Sequence, residues 1–291
     1  MTAFALVAGS LPCGLDAQAQ QKVPLVLSRL AIELDSATYR DIRNSPFIQN
    51  QLAAADTGFL WGHEGGQGIR LIGKYNLLTL WAPAESGRAT GDVGIVLAAE
   101  RGGDLARLTV QGPFKPAPTL SVGSHHGMTN VDRFDYASDR VVPSGADALS
   151  DRVRFAITEF GDAMARVATG LDSLPEANRS NSRFLAPYFD PKKLLSHLTG
   201  ATLAVPVDDI KKIGRVLTRD GITVVAEGEG AIIKLDGFTL HLIPSFVGAG
   251  VKQLQFALTR AAVGNPIYQF GPKSQLRFGP GPIAVWDFKW P

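Results

Sequence analysis

The fold is decided by residues 201–245, which read ATLAVPVDDIKKIGRVLTRDGITVVAEGEGAIIKLDGFTLHLIPS. The alternating run at 201–205 predicts a strand, and Asp208 or Asp209 is placed to cap a following helix. Further apolar runs are separated by turn residues and predict strands, at 222–226, 231–235, 238–243 and 254–258. The predicted order is therefore a strand, a helix and then three or four strands.

The same order occurs earlier, across residues 24–100. Residues 30–34 alternate as in a strand, and Asp35 or Ser36 is placed to cap a helix. Four short apolar segments follow, TGFLWG, GIRLIGKY, NLLTLWAP and GDVGIVLAAE. An internal repeat decides an architecture more strongly than a local motif does. The sequence predicts an α+β fold in which two βαβββ modules form a curled mixed sheet around a shared cavity, a concave space suited to ligands.

The repeat divides the chain into a first module at 20–112, an inserted loop and helix segment at 113–194, and a second module at 195–291. A helix is predicted in the insert from the spacing of Phe155, Phe160, Met164 and Val167. The second module is expected to end in one or two extra C-terminal strands at a sheet edge, with Trp286 and Phe288 at alternate positions.

The N-terminal residues carry a different pattern. An apolar run at 3–15 precedes AQA at 17–19, a small-x-small arrangement typical of signal-peptide cleavage. No Lys or Arg precedes the run, so two interpretations stay open. Residues 1–19 are a cleaved export signal of a periplasmic or secreted protein, or they are the frayed N-terminus of a cytoplasmic one. Cleavage would remove Cys13, the only cysteine, and with it disulfide and thiolate chemistry.

Charge and hydropathy exclude two kinds of partner. The net charge is +2, from 29 Lys and Arg against 27 Asp and Glu, and the basic residues are scattered. Nucleic-acid binding needs a clustered positive surface, so it is not expected. The N-terminal apolar run is too short to cross a bilayer, so no transmembrane segment is expected. Because both modules lie in one chain, a monomer is sufficient to form the cavity, and a dimer stays open.

The two repeats resemble the vicinal oxygen chelate superfamily, which includes glyoxalase I, extradiol dioxygenases and the bleomycin- and fosfomycin-resistance proteins. LAVPVDDIKKIGRVLTRDGITV at 203–224 is similar to the opening of such a module, where a helix follows the first strand and a Gly leads into the next. LAIELDSATYRDIRNSPFIQNQL at 30–52, with IGKYNLLTLWAP at 72–83, resembles the glyoxalase-like subgroup. The resemblance spans residues 25–100 and 195–260.

The resemblance implies where a metal would be held. Family members with a metal place its ligands near the start of the first strand and in the fourth strand of each module. Overlaying the repeats puts Arg29 and Gly200 at the first-strand position, and Thr79 and His241 at the fourth-strand position. Only His241 is a good ligand, and Arg29 would repel a divalent ion, so no metal or other cofactor is expected. A register shift of one residue would bring in other side chains, including Glu33.

The function predicted on this basis is binding of a small organic molecule, anionic or carbonyl-containing, by a glyoxalase-like protein. Arg29 would orient the ligand, and Thr79 and His241 would donate hydrogen bonds. His241 would carry any proton transfer, because imidazole titrates near neutrality. Whether the protein is an enzyme stays open. The alternatives are a metal-dependent lyase, isomerase or dioxygenase of the same superfamily, and a non-catalytic exported structural or interaction protein.

Further residues are candidates for the cavity wall. Glu33 shares a strand face with Arg29, which predicts a charge pair that is either structural or catalytic. Trp61 and Arg70 lie in one hairpin and are expected to grip an aromatic or anionic ligand, with core packing for the Trp and solvent for the Arg as the alternative. His197 precedes the second module and is expected to end a turn in solvent.

Overall fold

The structure is a computed structural model that describes residues 23–56, 68–82, 89–100, 103–106, 114–116, 139–143, 145–159, 180–219 and 221–289. Within these residues, sixteen strands form two eight-stranded mixed sheets, and helices are few, so the protein has α+β character. The predicted export signal at 1–19 lies outside the described residues and stays a prediction.

The first sheet is built by the N-terminal strands. These are β1 (Leu25–Glu33), β2 (Ala54–Asp56), β3 (Gly68–Ile72), β4 (Leu77–Trp81), β5 (Val93–Ala99), β6 (Phe114–Pro116), β7 (Asp139–Pro143) and β8 (Val153–Glu159). Their order across the sheet is β2-β3-β4-β1-β5-β8-β7-β6. Strand β1 is parallel to β4 and antiparallel to β5, and β5 is parallel to β8. Two four-stranded halves therefore join at β1 and β5.

The second sheet repeats this order with the C-terminal strands. These are β9 (Leu195–Pro206), β10 (Thr223–Glu227), β11 (Gly230–Leu235), β12 (Phe238–Ser245), β13 (Gly250–Leu258), β14 (Ile267–Phe270), β15 (Ser274–Phe278) and β16 (Ile283–Phe288). The sheet order is β10-β11-β12-β9-β13-β16-β15-β14. Strand β9 is parallel to β12, whereas β13 is antiparallel to both β9 and β16.

Three α-helices lie wholly within the described residues, α1 (Ser36–Arg43), α2 (Asn181–Leu185) and α3 (Val207–Arg219), with short π or 3-10 turns at Ile48–Leu52, Gly145–Asp147 and Ala186–Tyr188. Helix α1 begins as predicted, because the Asp35 carboxylate accepts hydrogen bonds from two backbone N–H groups of the first turn. The predicted cap of α3 is wrong. That helix begins at Val207, and Asp209 instead accepts hydrogen bonds from the backbone N–H and hydroxyl of Ser150.

The connections explain the strand directions. A crossover helix carries the chain back across the sheet, so that the first and fourth strands of a half run parallel. This occurs after β1, which leads into α1, and after β9, which leads into α3. Residues 259–266, between β13 and β14, contain no helix. In the half formed by β13 to β16, each connection therefore reverses the direction of the chain, so the fourth strand, β16, lies antiparallel to the first, β13.

This topology corrects the predicted arrangement of the two repeats. They do not share one curled sheet, since each lies in its own sheet and is paired with a second four-stranded half. The segment expected to be an insert supplies β6, β7 and β8. The helix expected around Phe155 is strand β8, in which Val153, Phe155 and Ile157 alternate into the core. A period of two was missed there because Phe160, Met164 and Val167, which lie outside the described residues, suggested a helical spacing.

The C-terminal residues form three strands, β14 to β16, rather than the expected one or two. The prediction for Trp286 and Phe288 is confirmed, because both are buried at alternate positions of β16. The indole N–H of Trp286 donates a hydrogen bond of 2.6 Å to the Ser274 hydroxyl. A buried indole needs such a partner, so this contact lets a tryptophan occupy the core.

One hydrophobic core joins the two sheets. Leu30 and Ile32 of β1 belong to the same buried cluster as Leu203 and Val205 of β9. Alternate residues of a strand point to opposite faces, so the intervening residues form the other face of each sheet. Because the two sheets share one core, these non-core faces point away from each other. Among the described helices, none combines the length and the apolar character needed to cross a membrane.

Candidate functional site

The non-core face of the first sheet brings most of the predicted residues together. Arg29 and Glu33 alternate with core residues along β1, so both lie on this face with Ala31 between them. Ala31 is paired with Thr79 of β4, and Thr79 is paired with Arg70 of β3. Four residues predicted from the sequence thus occupy neighbouring positions on one sheet face.

This face is buried although it is polar. Arg70 is 6% exposed, and its guanidinium carbon lies 6.0 Å from the centre of the Trp81 ring. The expectation of solvent for Arg70 is therefore wrong. Glu33 is 1% exposed and forms an ion pair with Arg154 of β8, whose NH2 lies 3.6 Å from its Oε1. Charged groups are buried this completely only when they have partners, so this face is built for polar contacts.

Two hydrogen-bond donors on this face make no such contact. Thr79 is fully buried, Trp81 is 2% exposed, and they lie two residues apart on β4. Neither the Thr79 hydroxyl nor the Trp81 indole N–H has a hydrogen-bond partner among the described residues. The Trp81 ring lies directly over Gly68, where an added Cβ would come within 2.9 Å of two ring carbons. The glycine therefore makes room for the ring beside Arg70.

His241 lies elsewhere. It is on β12 in the second sheet, half-buried, and pairs with Ile232 and Thr202. The row continues through Gln253 of β13 to Asp287 of β16. Since the non-core faces of the two sheets point apart, His241 does not share a cavity with Thr79 or Arg29. The predicted shared cavity is wrong because the two repeats lie in different sheets.

The row of residues that contains His241 does not fit the metal site that the resemblance implies. His241 and Asp287 are separated by three strand spacings, about 14 Å along the sheet. Asp287 already accepts hydrogen bonds from Gln253 at 2.9 Å and from Arg277 Nε at 2.9 Å. In the described part of the chain, no three His, Cys, Asp or Glu side chains are grouped so that they could hold a metal ion.

A second polar site lies between the sheets. It is an open cavity of about 310 Å³ whose walls come from both sheets, namely Val26, Leu27, Tyr75, Asn76, Glu100, Ser182, His197, Asp236 and Gly237. Asn76 fastens the sheets together there. Its side chain donates a 3.0 Å hydrogen bond to the Leu198 carbonyl and accepts one of 2.8 Å from the Leu198 N–H.

Asn181 fixes one wall of this cavity. The buried Asn181 side chain accepts a 2.8 Å hydrogen bond from the Ser28 hydroxyl and donates one to the Tyr75 carbonyl. Its backbone N–H donates a 3.1 Å bond to Glu100 Oε1. Glu100 is therefore held in one orientation by a network that reaches β1.

The cavity perturbs two titratable groups in opposite senses. Burial raises the pKa of Glu100, the hydrogen bond from Asn181 opposes that shift, and the charge of Asp236 adds to it. Burial lowers the pKa of His197, and the positive charge of Lys74 lowers it further. His197 is half-buried within β9 rather than in solvent, and its Nδ1 lies 3.0 Å from the Ser196 hydroxyl.

Sequence reasoning missed several of these residues. Trp81 and Arg154 were absent from the predicted site, although the alternation of β4 places Trp81 on the same face as Thr79. Glu100 follows the last residue of β5, and Asp236 precedes Gly237 in an Asp-Gly turn that marks a hairpin tip. Trp61, predicted to contact a ligand, lies outside the described residues.

The fold and these sites define an α+β protein with two eight-stranded mixed sheets and a buried polar face on the first. The chain belongs to the family described as "Family of unknown function (DUF5829)", which matches residues 30–288. No curated protein matches the sequence.

Three solved structures are similar to this chain at low sequence identity. A hypothetical protein from Staphylococcus aureus is 12% identical, with a TM-score of 0.51 over 88% of this chain and 99% of that one. A xylose isomerase-like TIM barrel/4-hydroxyphenylpyruvate dioxygenase fusion protein is 12% identical, with a TM-score of 0.44 over 84% of this chain and 40% of that one. A mutant 4-hydroxymandelate synthase from Streptomyces coelicolor is 13% identical, with a TM-score of 0.36 over 79% and 69%. The first of these supports the fold alone.

Proposed function

We propose that the non-core face of the first sheet binds a small organic molecule that carries a carbonyl or carboxylate group. The observation that supports this is the pair of buried donors, Thr79 and Trp81, without partners among the described residues. A buried donor left without an acceptor costs about 1–3 kcal/mol. A ligand oxygen between the hydroxyl and the indole N–H would remove that cost and would be held by both.

The charges on this face favour an anionic ligand. By register, the described strands bring three arginines to this face, Arg29, Arg70 and Arg154, against two acidic residues, Glu33 and Asp56. Guanidinium groups hold carboxylates in a planar, two-bond arrangement. Arg70, beside the Trp81 ring, is the nearest of the three along the sheet to Thr79, since the two residues pair directly. We assign it the main role in orienting the ligand.

The scaffold we propose is that of the vicinal oxygen chelate superfamily. The support is the strand order, in which a first strand lies beside its own fourth strand in every four-stranded half of both sheets. The row through Thr79 runs from Asp56 and Arg70 over Ala31 and Gly94 to Arg154, so in the described strands it carries one carboxylate position, next to an arginine, and no imidazole. The proposed binding therefore does not use a metal. Metal analysis of the dialysed protein tests this point, and near-stoichiometric iron, manganese, zinc or nickel would contradict it.

The binding proposal is tested with Thr79→Val, which keeps the shape of the side chain and removes the donor. We expect the free energy of unfolding of the variant to rise by about 1 kcal/mol, since an unsatisfied buried hydroxyl has been removed. We expect it to bind phenylpyruvate about tenfold more weakly than the wild type, because one hydrogen bond to a charged or carbonyl group is lost. Isothermal titration calorimetry measures the binding and urea unfolding the stability.

Matched ligands and a matched variant complete the test. Hydrocinnamate has the carboxylate of phenylpyruvate without its ketone. If hydrocinnamate binds more weakly than phenylpyruvate, the Thr79 hydroxyl and the Trp81 indole N–H bind the ketone oxygen. Thr239→Val makes the same change on β12 in the second sheet and should leave binding unchanged. If Thr79→Val lowers stability, or if the wild type binds neither compound, the proposed site is wrong.

A further inference from the structure

The cavity between the two sheets has the features of a second ligand site, distinct from the buried face of the first sheet. Its walls include two carboxylates, Glu100 and Asp236, which approach from different sheets and repel each other electrostatically. Within the described residues, neither carboxylate forms an ion pair with Lys, Arg or His. Glu100 is partly buried, whereas Asp236 is exposed at a turn. A partly buried carboxylate without a cation is costly, so a positive group between Glu100 and Asp236 would be stabilising.

The other walls restrict what that positive group is attached to. Val26 and Leu27 of β1 supply an apolar surface, and the rings of Tyr75 and His197 meet edge to face with centres 5.0 Å apart. Lys74 Nζ lies 4.9 Å from the centre of the Tyr75 ring, and its positive charge acts on His197.

Hydrogen bonds hold two parts of the cavity wall in place. Asn181 holds Glu100 through its backbone N–H, and Asn76 holds β9 against the first sheet through two buried hydrogen bonds. Preorganised walls reduce the entropic cost of binding a small molecule. The volume of about 310 Å³ is within the range of small-molecule sites.

We propose that this inter-sheet cavity binds a small organic ammonium ion, with the ammonium between Glu100 and Asp236 and the hydrocarbon part against Val26, Leu27 and Tyr75. The ammonium donates to both carboxylates and removes their mutual repulsion. A neutral or anionic molecule of the same shape gains only the apolar contact, which distinguishes this site from the carbonyl- or carboxylate-binding face of the first sheet.

Titration calorimetry with three probes of one chain length tests the proposal. n-Butylammonium should bind the wild-type protein saturably, while n-butanol and butyrate should not. Glu100→Gln keeps the acceptor for the Asn181 N–H and loses the charge, and it should weaken n-butylammonium binding about tenfold. Asp236→Asn replaces an exposed turn residue by another that suits an Asp-Gly type turn, so it should fold normally and weaken binding by a similar factor.

Glu229→Gln is the matched control, because it removes one carboxylate from the exposed turn between β10 and β11 and should leave the affinity unchanged. Amide chemical shifts of Asn76 and Gly237 should move during the n-butylammonium titration. Equal binding of n-butanol, an equal loss in Glu229→Gln, or no saturable binding of n-butylammonium would each overturn the proposal. If Glu100→Gln fails to fold, Asp236→Asn tests the same charge requirement, and unchanged n-butylammonium affinity in that variant would overturn the proposal as well.

Discussion

Arg154 reaches Glu33 across an intervening strand. The two residues belong to β8 and β1, with β5 between them, yet the guanidinium NH2 lies 3.6 Å from the carboxylate. The strand between carries Gly94 at this row, where an added Cβ would lie 3.3 Å from the Ala31 Cβ and 3.8 Å from Arg154 NH2. The missing side chain leaves the space in which the ion pair forms.

A double-mutant cycle with Glu33→Gln and Arg154→Met measures this contact. Glu33 is buried and the Arg154 side chain is 35% exposed, so the pair is partly screened by solvent. We expect a coupling free energy of about 1 kcal/mol, between the values of surface and fully buried pairs. Urea unfolding of the wild type, both single variants and the double variant supplies the four values. Strictly additive effects would show that the two groups do not interact.

Asn76→Ala tests the connection between the sheets. The change leaves both the N–H and the carbonyl of Leu198 without their side-chain partner in a buried position. We expect a loss of about 2–3 kcal/mol in the free energy of unfolding, since each orphaned buried group is costly. Asn50→Ala, at an exposed asparagine, is the control and should change stability by less than about 0.5 kcal/mol. A small effect at Asn76 would mean that other contacts hold the sheets together.

Periodicity was sufficient to predict the repeated part of the fold. The overlay that matched Thr79 with His241 agrees with the register, because Thr79 pairs with Ala31 and His241 with Thr202 at corresponding positions of the two sheets. Alternation likewise placed Arg29 and Glu33 on one face of β1. Local patterns of this kind depend on neighbours in the sequence and are preserved in the fold.

The partners of the repeats were not predictable in the same way. The second half of each sheet has a less regular sequence, and the strand pairing of β5 with β8 joins residues about 60 positions apart. Whether two modules share a sheet is decided by such long-range pairing, for which a single sequence carries no local signal. The strand that contains His241 was predicted correctly. His241 was placed with Thr79 and Arg29 only because the long-range pairing that puts the two repeats in different sheets was not predicted.

Asp147→Asn tests how a segment before β8 is fastened to α3. The buried Asp147 accepts two hydrogen bonds from Arg215, at 3.1 Å from Nε and 2.8 Å from NH2, and a longer one of 3.4 Å from Arg219. We expect a loss of about 1–2 kcal/mol, because charge-assisted bonds become neutral ones while both arginines stay about half exposed.

The same contact predicts an order among the arginine variants. Arg215→Gln should cost more stability than Arg219→Gln, since Arg215 makes the shorter, two-bond contact. The differences between these variants and the wild type should shrink in 1 M NaCl, where exposed charges are screened. Unfolding curves at two salt concentrations check both points, and equal costs for the two arginines would contradict the geometry.

His197 should make the stability of the protein depend on pH. Burial and the charge of Lys74 lower the pKa of His197 in the folded state below the ordinary value of 6.5. The unfolded chain then binds this proton more tightly than the folded protein does. The contribution of His197 to the free energy of unfolding is therefore fully present above pH 6.5 and is lost as the pH falls from 6.5 through the folded pKa. Glu100 acts in the opposite sense, because its raised pKa favours the folded state as the pH falls towards 4.5.

His197→Asn, whose amide replaces the ring atoms nearest Ser196, should lose the decline in stability just below pH 6.5. Lys74→Gln should reduce it without removing it. Urea unfolding at half-unit steps from pH 7.5 to 5.0 measures the effect, and a decline of wild-type size in His197→Asn would assign the pH dependence to other groups.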